Sequence, residues 1–165
     1  MMKKLALLAL GLSLFAIPSR AQSADVSLSY SYFRGNSGGL NQNGGSGSVG
    51  YYPSHFLGFV GDFGAYHASP AGVSTNAVTF LFGPRLIARN PLKINPFVQA
   101  VFGGSHLTRT GFGSSNQFAY SFGGGVDIGM LPHLYFRPQV DYVGLRNSGQ
   151  TLNCTRVSAG VAIRF

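Results

Sequence analysis

Thr155-Arg-Val-Ser-Ala-Gly-Val-Ala-Ile-Arg-Phe165 decides the fold. Val157, Ala159, Val161, Ile163 and Phe165 take every second position, and Arg156, Ser158, Gly160, Ala162 and Arg164 fill the places between. Side chains of a strand point alternately to opposite faces, so this is a strand with one apolar face and one polar or small face. Such a face is either buried in a core or turned to lipid in the wall of a transmembrane barrel. The rest of the chain has to choose.

Working outward, the same period of two predicts seven more strands. They are Asp25–Phe33, Ser46–Tyr52, Phe56–Tyr66, Asn76–Ala88, Phe97–Leu107, Gln117–Gly129 and Leu134–Leu145. The Gln117 strand is the clearest: Phe118, Tyr120, Phe122, Val126 and Ile128 oppose Ala119, Ser121, Gly123, Gly125 and Asp127. Three connections carry proline, at Pro53, Pro91 and Pro132, and read as short turns. Four others, Arg34–Gly45, His67–Thr75, Thr108–Asn116 and Arg146–Cys154, read as long loops. Strict alternation of long and short connections over eight strands is the layout of an antiparallel up-and-down transmembrane β-barrel. Both chain ends then lie on the short-turn, periplasmic side. Pro84 and Pro138 fall inside strands, where each removes a ladder donor and predicts a bulge or local break.

Charge parity decides between lipid and core. Asp62, Arg85, Asp127, Arg137, Asp141, Arg156 and Arg164 all fall on the polar parity of their strands. On a lipid face each would cost about 2–4 kcal/mol at the midplane. The expectation is an interior network of Asp–Arg pairs threaded between glycines. An eight-stranded barrel is just wide enough for side chains to fill, which predicts a largely plugged lumen. Tyr32, Phe33, Tyr51, Tyr52, Phe56, Tyr66, Tyr135, Tyr142 and Phe165 lie near strand ends and suit interfacial girdles. A soluble, lipocalin-like barrel with its apolar faces turned inward is the alternative fold.

Composition agrees. Charged residues make up 10% of the 165, Gly is 24, and all four acids are Asp; a chain without Glu is poor material for helices. Residues 1–21 read as a cleaved signal peptide: Lys3-Lys4, an apolar run from Leu5 to Ile17, Pro18, then Ser19-Arg20-Ala21. Residues 22–165 form the barrel domain and carry nine Lys or Arg against four Asp, a net charge of +5. Export and the lack of a basic run argue against nucleic acid. Cys154 stands alone, so no internal disulfide is possible.

The chain resembles the OmpA-like outer-membrane β-barrel superfamily. The resemblance rests on Phe80-Leu-Phe-Gly-Pro-Arg85, Pro96-Phe-Val-Gln-Ala100, Phe122-Gly-Gly-Gly-Val-Asp-Ile128, Arg137-Pro-Gln-Val-Asp-Tyr142 and the strand ending at Phe165. It implies a bacterial outer-membrane location, contact with outer-membrane lipid and lipopolysaccharide, and insertion by the barrel-assembly machinery. Val161, Ile163 and Phe165 would be read as the C-terminal assembly signal. The chain leaves no room for the periplasmic peptidoglycan-binding domain of full-length OmpA proteins.

Catalysis and cofactors find little support in the residues. Some small barrels are similar to lipid A deacylases, but His67-Ala-Ser69 sits in a loop, and Ser105 and His106 are neighbours that point apart on a strand. His55, His67, His106 and His133 are dispersed and show no metal-ligand spacing. The expected role is structural or surface-display, with no cofactor, metal or catalytic residue. The alternatives are a narrow porin-like channel or an adhesin, the latter using basic Arg34, Arg109 and Arg146.

Overall fold

The computed structural model describes residues 23–35, 41–68, 75–109, 113–147 and 150–165. The proposed leader and Ser69 lie outside that set. Eight antiparallel strands run in chain order: β1 (Ser23–Gly35), β2 (Asn41–Tyr52), β3 (Leu57–Ala68), β4 (Thr75–Ile87), β5 (Ile94–Arg109), β6 (Gly113–Gly129), β7 (Leu134–Asn147) and β8 (Gln150–Arg164). Each pairs with its sequence neighbours, and β8 returns to β1 to close the barrel. Closure pairs Asp25 with Arg164 at one end and Gly35 with Cys154 at the other. Beyond the strand, Phe165 N–H donates to the Ala24 carbonyl at 2.9 Å. No sheet edge remains unpaired, which lipid requires of a spanning sheet.

Register fixes the barrel's shape. From Val26 the pairings run through Val49, Gly61, Phe82, Phe102, Tyr120, Gly144 and Asn153. Gly35, nine residues from Val26, pairs with Cys154, so the register carried one step on to Asn153 gives a stagger of ten. A stagger of ten residues at about 3.3 Å each, across eight strands about 4.8 Å apart, tilts the strands by about 40°. Each residue then climbs about 2.5 Å along the barrel axis, and an apolar band about 25 Å tall needs about ten residues. Strands of 12 to 17 residues therefore overshoot the bilayer.

The overshoot corrects the sequence reading of the four long loops. β2 begins at Asn41, β6 at Gly113 and β8 at Gln150, four or five residues earlier than the alternation indicated. Only residues 36–40, 69–74, 110–112 and 148–149 separate those strand pairs. These gaps of two to six residues are of the same order as the four to six at 53–56, 88–93 and 130–133 on the side of the termini. Beyond the bilayer the outer face meets water, so a strand has no need of apolar alternation there. The ladder simply continues in Gly, Ser and Asn.

Both strand prolines give breaks and no bulge. The β4–β5 ladder skips Gly83 and Pro84, yet Phe82–Phe102 and Arg85–Gln99 keep one register. The β6–β7 ladder likewise skips the Pro138 region between Gly125–Gln139 and Ile128–Phe136 without a shift.

The large apolar side chains face out. Leu28, Phe59, Phe82, Val98, Phe118, Val140 and Val161 are exposed on the barrel's outside, a continuous surface that water would penalise and lipid does not. This rules out the lipocalin-like alternative. Four girdle assignments are also corrected: Phe33, Tyr52 and Tyr66 are buried inside the barrel, and Tyr135 shares the inward parity of Arg137, with Arg164 over its ring. The Tyr52 and Tyr66 rings fit because glycines stand beside them. A Cβ on Gly58 would strike the Tyr52 ring, and one on Gly44 or Gly64 would strike Tyr66.

Candidate functional site

The lumen holds the chemistry. All four aspartates of the chain point inward and are nearly or wholly buried, as are Arg85, Arg137 and Arg156. Arg164 joins them at the end that holds the termini, with its side chain 11% exposed. Four carboxylates face four guanidiniums, so the interior is electroneutral and the net positive charge sits on the rims.

The lower group gathers on Asp25 and Asp127. Arg137 grips Asp127 through a fork, Nε to Oδ1 at 2.6 Å and Nη2 to Oδ2 at 2.9 Å. The same Nη2 donates to Asp25 at 2.9 Å, and Arg164 donates to Asp127 at 2.6 Å. Tyr52 donates its hydroxyl proton to Asp25 at 2.8 Å and accepts from Arg85 at 3.2 Å. Arg85 and Arg137 both lie over the inward ring of Phe97, at 4.6 and 5.2 Å, where the ring's negative face offsets lost hydration.

The upper group is built on Arg156 of β8. It forks onto Asp62 of β3 at 2.7 and 3.0 Å and binds Asp141 of β7 through Nε at 2.9 Å. It also donates to the Tyr66 hydroxyl at 3.2 Å. Since β8 and β3 are not neighbours, this pair spans the lumen. Gln139 supports Asp141 with its amide at 2.8 Å. Gln99 ties the two groups together: its carbonyl accepts from Arg85 at 2.7 Å and its amide faces Asp141 at 3.4 Å. Paired forks of this kind are what a buried charge needs to offset its desolvation. The wall formed by β1, β2 and β8 also carries serines, bonded Ser27–Ser48, Ser31–Ser46 and Ser31–Ser158 at 2.7 to 2.8 Å.

The seven charged residues read from sequence thus gather in one lumen. Asp25 was missed, although it shares the parity of Ser27, Ser29 and Ser31. Tyr52 and Tyr66 also share the polar parity of their strands, but their place near strand ends suggested girdles.

The other candidates disperse. Ser105 is buried in the lumen while His106 faces outward, so the two cannot form a nucleophile–base pair. His67 and His106 bond outward-facing Asn76 and Asn116 at 2.7 and 2.6 Å. His55 and His133 lie on the opposite end, and no group of three possible metal ligands occurs among the described residues. Cys154, expected in a loop, is a buried residue of β8. Val161, Ile163 and Phe165 form the outward row at the C-terminal end of that strand.

Comparison with known proteins fits this architecture. The model of the outer membrane protein beta-barrel domain matches residues 6–165. Neisserial surface protein A superposes with a TM-score of 0.70 at 14% identity, covering 87% of this chain and 97% of its own. The N-terminal β-barrel domain of Pseudomonas aeruginosa OprF gives 0.60 at 17%, covering 86% and 97%. Ail, the attachment invasion locus protein of Yersinia pestis, gives 0.56 at 15%, covering 89% and 100%. No curated protein matches by sequence.

Proposed function

We propose, for a chain that belongs to the outer membrane protein beta-barrel domain family, a structural role as a plugged barrel of the cell envelope. The chain is a bacterial outer-membrane protein with a closed eight-stranded barrel. The finer role rests on one observation: the cross-lumen fork of Arg156 on Asp62, backed by Asp141, with all three side chains nearly or wholly buried. An ion crossing the lumen must break paired charges that have no water to replace their partners, at a cost of several kcal/mol. Residues 1–21 serve as the leader, and the Phe165 strand addresses the chain to the barrel-assembly machinery. Liposomes carrying the refolded protein test the plug. They should swell in small sugars no faster than empty liposomes, and sugar-dependent swelling would refute it.

A second reading concerns lipopolysaccharide. Arg34 and Arg146 are exposed on the outward face near the outer strand ends, with His67 and His106. Every acid of the chain is inside, so these cations meet the headgroup layer without a competing carboxylate. Each such cation near an anionic membrane surface contributes about 1 kcal/mol. Ail has been solved with the heparin analogue sucrose octasulfate, a polyanion, and the exposed cations of this chain offer an anion the same class of contact. Replacing Arg34 and Arg146 by Gln should reduce lipopolysaccharide co-purified from outer membranes; unchanged retention would remove the reading.

A further inference from the structure

We propose that the outer half of the lumen is a binding site for a small uncharged amphiphile, of the class of short-chain aliphatic alcohols. A cavity of about 90 Å³ lies above the charge network. Phe33, Leu107, Leu145, Leu152 and Cys154 line it with Tyr66. Phe33 and Tyr66 meet edge to face at 4.7 Å, and the Arg156 bond to the Tyr66 hydroxyl makes the network its floor.

The polarity of the barrel reverses at this level. Within the bilayer the wall is apolar outside and charged inside. Near the outer strand ends the outside carries His67, His106 and Arg146, while the inside turns to Leu, Phe and Cys. That is the polarity of a soluble barrel, and barrels of eight strands hold one small ligand in such an interior. Lipid cannot explain inward-facing leucines.

The lining selects the ligand's chemistry. Among the described residues no charged side chain borders the cavity, so an ionised ligand would be buried without a partner. Gln42 and Gln117 are its amide-bearing lining residues and suit a hydroxyl. A dry cavity of about 150 Å³ accepts benzene, so this smaller one suits an alcohol of about three carbons better than a six-carbon ring or chain. The site calls for binding alone, without passage through the floor.

Cys154, the sole cysteine of the chain, is the reporter. Protein folded in lipid vesicles is treated with methyl methanethiosulfonate or with its trimethylammonium-bearing analogue, with and without 1-propanol. The neutral reagent should label at least about tenfold faster than the cationic one, because the cavity excludes unpaired charge. Propanol should slow neutral labelling saturably, by about threefold or more, as site occupancy rises. In Ala77→Leu, which fills the cavity, propanol should give no protection. Equal labelling by both reagents, no slowing by propanol, or equal slowing in Ala77→Leu would each overturn the proposal. If Ala77→Leu does not fold, Leu107→Asn takes its place and should weaken protection. If the thiol is inert to both reagents, a fluorinated propanol is followed by ¹⁹F NMR. A saturable signal lost in the variant supports the site, and identical spectra refute it.

Discussion

Replacing Arg156 by Leu tests what holds the upper lumen together. The change strands two carboxylates, Asp62 and Asp141, whose side chains are 6% and 0% exposed. Removing one partner of a buried pair costs about 3–5 kcal/mol, because the remaining charge has neither water nor counter-ion. Asp141 keeps the Gln139 amide at 2.8 and 3.0 Å, whereas Asp62 keeps no cation. The upper part of that range, about 4–5 kcal/mol, is therefore expected. With about 2 kcal/mol per molar urea, the unfolding midpoint falls by about 2 M. The chain has no Trp, so unfolding in vesicles is best followed by the mobility shift between folded and unfolded bands on unheated detergent gels. The triple variant Asp62→Asn, Arg156→Met, Asp141→Asn removes the charges together and should recover most of the loss, since a buried pair replaced as a unit is often neutral or better. A midpoint shift below about 0.5 M for Arg156→Leu, or a triple variant no better than the single, would refute the reasoning.

Other outcomes follow from the same structure. Phe102 faces lipid in mid-strand beside Phe122, ring centroids 5.5 Å apart; Phe102→Arg should cost about 2–4 kcal/mol in urea titrations while Phe102→Leu costs far less. A Cβ on Gly123 would run into the Val140 carbonyl and the Asp141 carboxylate, so Gly123→Val should lose about 1–3 kcal/mol by the same assay. Deleting Phe165 removes its 2.9 Å backbone bond to Ala24 and should lower outer-membrane levels in cells much more than it lowers the stability of refolded protein. Normal membrane levels would argue against the assembly role.

The parts of this fold legible in the sequence are those at bilayer depth. There lipid forces one face apolar, and a period of two appears in every strand; Phe118 to Ile128 could hardly be anything else. Above the bilayer both faces may be polar or small, so Asn41 to Gly45 and Gln150 to Cys154 look like loop although they are strand. The lumen was legible to the same depth. Charges betray their face because lipid forbids the other one, whereas Tyr52 and Tyr66 are acceptable on either, and nothing local told that Gly58 and Gly64 had cleared space for them. The pairing of Arg156 with Asp62 was beyond reach, because it depends on the stagger accumulated around the whole barrel.

Planar-bilayer current recording of the refolded, purified protein tests the central claim most directly. If Arg156, Asp62 and Asp141 plug the lumen together with the Asp25–Arg137–Asp127 group, the wild-type protein gives no discrete conductance steps. Reproducible single-channel openings from the wild-type protein would contradict the account.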